Sequence, residues 1–113
     1  MSDMKIGVVG CAGRMGITLL KQIAAAEGCL IAGGTERAGS EAIGRDVGVV
    51  AGLDALGIVV VDDPAALIAE ADAILDFTIP DATVVHAGLC AQHGTAHIIG
   101  TTGMDPEHHA AIA

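Results

Sequence analysis

The sequence is almost without aromatic residues: Phe77 is the only one among 113, and there is no tryptophan or tyrosine. Stacking of single-stranded nucleic acid on a protein needs several aromatics, so this mode of binding is excluded. Only five residues are Lys or Arg, against 14 Asp or Glu, which gives a formal net charge of −9. Because binding to a phosphate backbone needs clustered cations, we expect a small-molecule partner and no nucleic acid.

Cysteines and long apolar runs are also scarce. Cys11, Cys29 and Cys90 are odd in number and lack the C-x-x-C spacing of metal or redox sites. A reduced, cytoplasmic setting is therefore the expectation. Gly7 and Gly10 interrupt the early apolar run, so it does not resemble a signal peptide. No run approaches the roughly 20 apolar residues of a membrane span, and we expect no membrane segment.

What the sequence does contain is a regular alternation of aliphatic runs and helical stretches. The runs cover residues 4–9, 29–33, 57–61, 73–77 and 96–99, and each is followed by a turn signal. They predict five parallel strands. The chain length fits one domain, so residues 1–113 are predicted to form a single domain. The fold class is α/β, a Rossmann-like doubly wound parallel sheet.

The helices are predicted from their ends. Helical stretches over 13–27 and 80–93 are closed by Gly28 and Gly94. Asp63-Pro64 and Asp105-Pro106 each look like an N-cap followed by proline at the first helical position, and predict two further helices. Residues 36–53 have neither helical nor strand periodicity, and predict a long loop with one turn of helix.

The most informative motif is a glycine-rich turn directly after the first run. It reads Gly10-Cys11-Ala12-Gly13-Arg14-Met15-Gly16. A strand that ends in such a turn and opens a helix presents backbone N–H groups to an anion, which suits a pyrophosphate. The motif therefore predicts that residues 1–113 form a dinucleotide-binding domain, with residues 10–15, including Cys11 and Ala12, at the cofactor. Ala12 departs from the G-x-G-x-x-G pattern. The alternative is that these glycines serve only a tight turn and close helix packing.

Glu36 and Arg37 predict the adenosine end of a cofactor site. Glu36 lies twenty residues beyond Gly16, at the end of the second predicted strand. A carboxylate there can accept hydrogen bonds from ribose hydroxyls, as in NADH. The Arg37 guanidinium can instead bind the 2′-phosphate of NADPH. Side by side, the two residues predict that NADH or NADPH could be accepted.

Two further strand ends are predicted to meet the cofactor, because ligands of open α/β sheets bind beyond the carboxyl ends of strands. One end is Asp76-Phe77-Thr78, and the other is Gly100-Thr101-Thr102-Gly103. Thr101 and Thr102 could offer hydroxyl and N–H groups to a ligand, or could only cap the turn. Phe77 could pack near the nicotinamide or its ribose, or could be an ordinary core residue.

A metal site and a catalytic centre are not predicted. His86, Cys90 and His93 fall at i, i+4 and i+7 of a predicted helix and could share a face, but no carboxylate completes a zinc site. No nucleophile has a neighbouring base in the sequence. We therefore assign no catalytic residue to these 113 residues.

Four motifs together resemble the 4-hydroxy-tetrahydrodipicolinate reductases, also called dihydrodipicolinate reductases. They are Gly-Cys-Ala-Gly-Arg-Met-Gly at 10–16, Glu36-Arg37, Leu-Asp-Phe-Thr at 75–78 with Pro80, and Ile-Gly-Thr-Thr-Gly at 99–103. The resemblance covers nearly the whole chain and corresponds to the N-terminal, cofactor-binding part of such enzymes.

The resemblance implies an oxidoreductase of lysine and diaminopimelate biosynthesis that passes a hydride from NADH or NADPH to a cyclic imine-type substrate. It places Gly10, Gly13, Arg14 and Met15 along the pyrophosphate, and Phe77, Thr78 and 100–102 along the nicotinamide half. It also implies a second domain with paired histidines and a lysine, which builds a homotetramer. His108 and His109 are not that pair, because they follow the Gly-Thr-Thr-Gly turn too closely.

Two alternatives remain open on the residues. One is a stand-alone nucleotide-binding module that senses redox state, and the other is a different NAD(P)-dependent dehydrogenase. Extended short-chain enzymes share the G-x-x-G-x-x-G spacing but use a Tyr-x-x-x-Lys pair, and this chain has no tyrosine.

Overall fold

The computed structural model describes residues 3–101 and 106–107. Strands and helices alternate through most of the chain, as the aliphatic runs predict. In chain order they are β1 (Met4–Val9), α1 (Arg14–Ala25), β2 (Cys29–Thr35), α2 (Val47–Val50), α3 (Pro64–Glu70), β3 (Ala73–Asp76), α4 (Pro80–His93) and β4 (Ala96–Ile99).

The four strands form one parallel sheet in the order β2-β1-β3-β4. The chain moves outward in one direction from β1 to β2, and then crosses back to place β3 on the other side of β1. In such sheets a crevice opens at the carboxyl ends of the two strands where the direction reverses. Here that point lies between the ends of β1 and β3, where the glycine-rich turn and Phe77 follow their strands. The predicted fold class is confirmed.

The prediction of a strand over 57–61 is wrong. This segment makes only two single bridges, one parallel to the end of β2 and one antiparallel to the loop before α2. Val60 donates its N–H to the carbonyl of Arg45, whereas Val61 donates to Gly34. Because the segment divides its backbone hydrogen bonds between two neighbours, no continuous ladder forms. Within the described residues the sheet therefore has four strands instead of five.

Helices cover both faces of the sheet, and each face has its own apolar core. Val8 points to the face covered by α1, where it packs with Leu20, and Val9 points to the face covered by α3 and α4, where it packs with Ile68. All four side chains are fully buried. Full burial of a Leu or Ile side chain is worth about 1.5–3 kcal/mol. With strands buried on both faces, the aliphatic runs are continuous rather than alternating.

Most helix ends agree with the capping signals, but the predicted closure of the first helix at Gly28 is wrong. Helix α1 ends at Ala25, because Ala26 already has an extended backbone and is the C-cap residue. The Asp63 carboxylate accepts a hydrogen bond from the N–H of Ala66, with Pro64 at the first helical position of α3. Helix α4 begins at Pro80 and ends at Gly94, which has the left-handed φ of 68°. Residues 106 and 107 are helical, while Asp105 and the rest of the helix predicted there lie outside the described residues.

The loop over 36–53 contains one helical turn, α2, as predicted. Asp46, which the sequence analysis did not single out, organises it. Its carboxylate accepts hydrogen bonds from the N–H groups of Gly48 and Val49, and also from Leu56 and Gly57 further along the chain. The bond from Leu56 is the largest of the effects that lower the pKa of Asp46. The Asp46 carboxylate thus links α2 to Leu56 and Gly57, at the start of the segment that bridges to the end of β2.

No helix in the described part of the chain is both long and apolar enough to cross a membrane.

Candidate nucleotide-binding site

A cavity of about 630 Å³ opens at the carboxyl end of the sheet, at the crevice between β1 and β3. Its walls come from the glycine-rich turn, the end of β2, the start of α3, and the segment that joins β3 to α4. The lining residues are Gly10, Ala12, Gly13, Thr35, Glu36, Arg37, Ser40, Asp62, Pro64, Phe77, Thr78, Ile79, Ala82 and His86.

Two glycines of the turn are required by close approach of the backbone. Gly10 has a φ of +82°, and a Cβ there would lie 2.7 Å from the carbonyl oxygen of Phe77. A Cβ on Gly16 would overlap the carbonyl oxygen of Gly10 and lie 2.8 Å from Cα of Cys11. The first position lets the ends of β1 and β3 meet, and the second lets the first turn of α1 pack on the loop before it.

The first turn of α1 keeps its N–H groups available. The first N–H groups of any helix have no acceptor within the helix, and they need a cap, water or a ligand. The N-cap residue here is Gly13, which has no side chain to act as a cap and lines the cavity. The positive end of the helix dipole lies at the same point. The turn therefore fits a phosphate group, which would interact with backbone N–H groups.

Glu36 is fixed to the glycine-rich turn. The N–H of Ala12 donates to Oε2 of Glu36 over 2.8 Å, and the N–H of Glu36 donates to the carbonyl of Val61 over 3.1 Å. These bonds orient the half-buried carboxylate along the cavity wall and leave Oε1 for a ligand. Arg37, on the same wall, is exposed. The predicted adenosine end thus has both of its residues at the cavity.

Cys11 was predicted to contact the cofactor, but the structure does not bring it to the cavity. Its side chain is fully buried beneath the turn, where its Sγ lies 2.8 Å from the position of a Cβ on Gly34. Its N–H donates to the carbonyl of Thr35. Burial, and secondly the nearby Glu36 carboxylate, raise the pKa of the Cys11 thiol to about 12. The buried thiol of Cys11 thus packs beneath the turn and is held in its protonated form.

The remaining predicted residues divide into two groups. Arg14 and Met15 are exposed in the first turn of α1, beside the cavity and not on its walls. Gly100 and Thr101 lie behind the wall formed by Phe77 and Thr78, and Thr102 lies outside the described residues. Thr101 reaches the wall through a hydrogen bond, because the N–H of Thr78 donates to its Oγ1 over 3.1 Å.

Phe77 is half-buried and lies between the end of a strand and the cavity. Its ring occupies the space that a side chain on residue 100 would need, so Gly100 is required for the ring to lie against the end of β4. The same residue lines the cavity. Phe77 therefore packs between two strand ends while presenting part of its surface to the crevice.

A buried polar cluster behind this wall was missed by the sequence analysis. Asp76, the last residue of β3, is completely buried. Its Oδ2 receives hydrogen bonds from His86 Nδ1 on α4 over 2.9 Å and from His97 Nε2 on β4 over 2.8 Å. Its Oδ1 accepts from the Thr78 hydroxyl over 2.6 Å. The sign of this cluster is the complete burial of Asp76 at the end of a strand, and only the folded structure shows that burial.

These donors keep the Asp76 carboxylate ionised. Burial by itself raises the pKa of Asp76, but the hydrogen bonds from His86, His97 and Thr78 outweigh burial, so the net pKa lies well below its usual value of 3.8. A carboxylate accepts and does not donate, so each histidine presents an N–H to it. The Nδ1 of His86 and the Nε2 of His97 therefore each carry a proton.

The possible metal face on α4 is not formed. His86 turns toward Asp76, Cys90 is buried in the apolar core, and His93 is exposed at the helix end. No group of three His, Cys, Asp or Glu side chains converges on a common point among the residues that the structure describes.

The parallel sheet with its crevice between β1 and β3 defines a Rossmann-like α/β domain. The family model described as "Dihydrodipicolinate reductase, N-terminus" matches residues 4–113. The chain belongs to this family.

Curated relatives agree with the family match. A 4-hydroxy-tetrahydrodipicolinate reductase from Rhizobium meliloti is 52% identical over 112 residues, which cover 99% of this chain and 46% of the relative. One from Chelativorans sp. (strain BNC1) is 47% identical over 113 residues, which cover 100% of this chain and 41% of the relative. The chain thus spans less than half the length of these relatives.

Solved structures show the same fold. A dipicolinate-bound dihydrodipicolinate reductase from Paenisporosarcina sp. TG-14 superposes with a TM-score of 0.70 at 24% identity, covering 97% of this chain and 42% of that one. A UDP-N-acetylglucosamine 3-dehydrogenase from Acidithiobacillus ferrooxidans gives 0.72 at 26% identity, covering 99% and 34%. The similarity to two dehydrogenase-type enzymes supports the general architecture.

Proposed function

We propose that this chain is the NAD(P)H-binding part of a 4-hydroxy-tetrahydrodipicolinate reductase, which reduces a cyclic dipicolinate precursor to tetrahydrodipicolinate in lysine and diaminopimelate biosynthesis. The observation that carries the proposal is Glu36, which the N–H of Ala12 holds at the crevice beside the glycine-rich turn. An acid in this position is suited to ribose hydroxyls, and the adjacent uncapped helix is suited to the pyrophosphate.

The residues of the cavity fit the cofactor from one end to the other. Glu36 and Arg37 would hold the adenosine ribose, with Arg37 binding a 2′-phosphate where one is present. Gly10, Ala12 and Gly13, followed by Arg14 and Met15, would border the pyrophosphate, while Cys11 supports the turn from beneath. Phe77 and Thr78 would lie along the nicotinamide half, backed by Gly100 and Thr101; the family resemblance assigns Thr102 to the same half. When bound, the cofactor supplies the hydride.

The remaining functional groups are proposed to lie outside these 113 residues. In the described cavity, His86 directs its Nδ1 to Asp76, so this nitrogen does not face the space where a substrate would lie. We infer that the rest of the reductase holds the substrate, supplies the proton and forms the homotetramer. The chain alone is expected to bind the cofactor without turnover. A cytoplasmic location follows from the biosynthetic role.

Cofactor choice is proposed to depend on the pair Glu36 and Arg37, so that both NADH and NADPH bind. Titration of the chain with each nucleotide, followed by cofactor fluorescence, tests this. Arg37→Ala should weaken NADPH about tenfold, equivalent to about 1.4 kcal/mol, and change NADH less than twofold. Glu36→Ala should weaken NADH about tenfold, because the ribose loses its acceptor.

Arg45→Ala and Glu41→Ala are the matched controls, because both residues are exposed in the same loop and do not line the cavity. They should leave both affinities unchanged. If the unmodified chain binds neither nucleotide, the proposed function is wrong. If Arg37→Ala weakens NADH and NADPH equally, the cofactor-binding role stands but the assignment of Arg37 to the 2′-phosphate does not.

A further inference from the structure

The cluster around Asp76 is more elaborate than packing requires. Asp76 has no exposed surface, and only 8% of the His86 side chain and 9% of the His97 side chain are exposed. A buried carboxylate with two imidazoles costs desolvation free energy that apolar residues of similar volume would not. Every buried side-chain nitrogen and oxygen in the described residues has a hydrogen-bond partner. The cluster is fully satisfied, which makes it rigid.

The hydroxyls of three threonines lie close to this carboxylate. Thr78 donates its hydroxyl proton to Asp76 Oδ1 over 2.6 Å. The Thr83 hydroxyl lies 3.3 Å from Thr78 Oγ1 and 2.7 Å from Thr101 Oγ1. The Thr101 hydroxyl lies 3.4 Å from Asp76 Oδ1, and the N–H of Thr78 donates to Thr101 Oγ1 over 3.1 Å, which closes a ring.

This ring joins the carboxyl ends of two strands. Asp76 ends β3, and its carbonyl accepts the N–H of Gly100 over 2.8 Å just beyond β4. Thr101 is held from the other side by Thr78 and Thr83. Through these bonds, the orientation of the Asp76 carboxylate determines where Thr78 and Thr101 lie. Thr78 lines the cavity beside Phe77, whereas His97 and Asp76 do not line it.

We propose that His86 and His97 are positioning residues, which act through Asp76 to hold Thr78 and Thr101 in the arrangement that receives the nicotinamide half of the cofactor. This inference rests on the proposed function and adds two residues to it. His97 is the cleaner probe, because His86 itself lines the cavity and could touch a ligand directly. His97 is placed to influence binding only through Asp76.

Two variants separate the hydrogen bond from the bulk of the ring. His97→Leu removes the donor and leaves an apolar side chain. His97→Gln keeps an amide N–H near the position of Nε2, so it can still donate to Asp76. The matched control is His93→Gln, which changes an exposed histidine at the end of α4. If His97→Leu does not fold, His97→Ser replaces it, because its hydroxyl is too short to reach Asp76.

The measurement compares NADH with ADP-ribose, which lacks the nicotinamide. His97→Leu should weaken NADH about tenfold and ADP-ribose less than twofold. His97→Gln should restore NADH to within about threefold of the unmodified chain, and His93→Gln should change neither ligand. Hydrogen exchange at the Thr78 N–H should accelerate in His97→Leu and recover in His97→Gln, while the N–H of Val8 in the sheet stays protected.

Several results would overturn the proposal. Equal weakening of NADH and ADP-ribose, with faster exchange at Val8 as well, would mean that His97 contributes only to overall stability. Unchanged NADH affinity in His97→Leu would remove the positioning role, and so would a failure of His97→Gln to restore it. In each case ADP-ribose binding by the unmodified chain would leave the proposed cofactor site intact. Absence of binding of either ligand by the unmodified chain would overturn both proposals.

Discussion

The two sides of the crevice are built in different ways. After β1, the wall is built from glycines, which have no side chains. Gly10 and Gly16 allow backbone to approach backbone, and Gly13 leaves the N–H groups of α1 uncapped. After β3, the chain buries polar side chains, and Asp76 is bonded to two histidines and a threonine. The wall after β1 (residues 10–16), called the backbone wall below, would recognise a ligand through its backbone N–H groups. The wall after β3, called the network wall below, keeps its shape through the hydrogen bonds around Asp76.

The comparison shows that the two walls are sensitive to different changes. The backbone wall fails when an atom is added at Gly10 or Gly16, because neither position has room for a Cβ. A network wall fails when any atom is removed, because a buried donor or acceptor is left without a partner. Substitutions that add atoms to the first wall and remove atoms from the second should therefore both be damaging, for opposite reasons.

The largest effect is expected when the network loses its centre. Asp76→Ala leaves the N–H groups of His86 and His97 and the Thr78 hydroxyl without their acceptor. Removal of one partner from a buried ionic cluster typically costs about 3–5 kcal/mol. Urea denaturation should show a loss of that size in the free energy of unfolding. The exposed Asp54→Ala is the control, with an expected change within about 0.5 kcal/mol. A loss below about 1 kcal/mol for Asp76→Ala would show that the network does not stabilise this wall.

An added methyl group tests the backbone wall. Gly16→Ala places a Cβ against the carbonyl of Gly10, and overpacking of this kind costs about 1–3 kcal/mol. Gly88→Ala is the matched control on α4, where a Cβ would meet nothing within 4 Å. There, the better helix propensity of alanine should stabilise the chain by about 0.5–1 kcal/mol. Thermal unfolding should move in opposite directions for the two variants. A shift in the same direction would refute the close approach at Gly16.

The smallest expected effect is the loss of stability that the network wall suffers when the pH is lowered. The pKa of Asp76 is lowered by folding, so on acidification the unfolded chain takes up this proton first. The stability from the ionised carboxylate is therefore complete above its usual pKa near 3.8 and is lost progressively below it. The loss is at most about 1.4 kcal/mol per pH unit.

Urea titrations at pH 5 and pH 3 of the unmodified chain and Asp76→Asn measure this contribution as a difference. The other carboxylates titrate in both proteins and cancel. The unmodified chain should lose more stability between the two pH values, by about 1 kcal/mol. Equal losses of stability in the two proteins would mean that folding does not lower the pKa of Asp76.

Much of the backbone wall could be predicted from the sequence, because its signals are local. The glycine spacing at 10–16 follows directly from the β1-to-α1 turn, and Glu36 lies a fixed distance further along the chain. The network could not be predicted in this way. His86 and His97 are separated from Asp76 by 10 and 21 positions, and only the packing of α4 and β4 against β3 brings them to one carboxylate. On the sequence alone, His86 resembled a possible metal ligand.

The segment over 57–61 shows the same limit in the fold. Its composition favours a strand, and its residues do reach the edge of β2, but the loop organised by Asp46 competes for its backbone hydrogen bonds. Cys11 gives a further example. Its place within the glycine motif predicted contact with a ligand, whereas its side chain is buried against Gly34, away from the cavity. In both cases a neighbour distant in sequence decided the outcome.

The sequence by itself determined the α/β alternation, the glycine-rich turn and the position of Glu36 and Arg37 at a strand end. These depend on local periodicity, turn chemistry and short spacings, which a linear chain displays directly. Only the tertiary structure decided that Asp76 receives His86 and His97, that Cys11 faces inward, and that residues 57–61 do not complete a ladder. Burial and long-range pairing arise when separate elements pack, and no single segment carries that information.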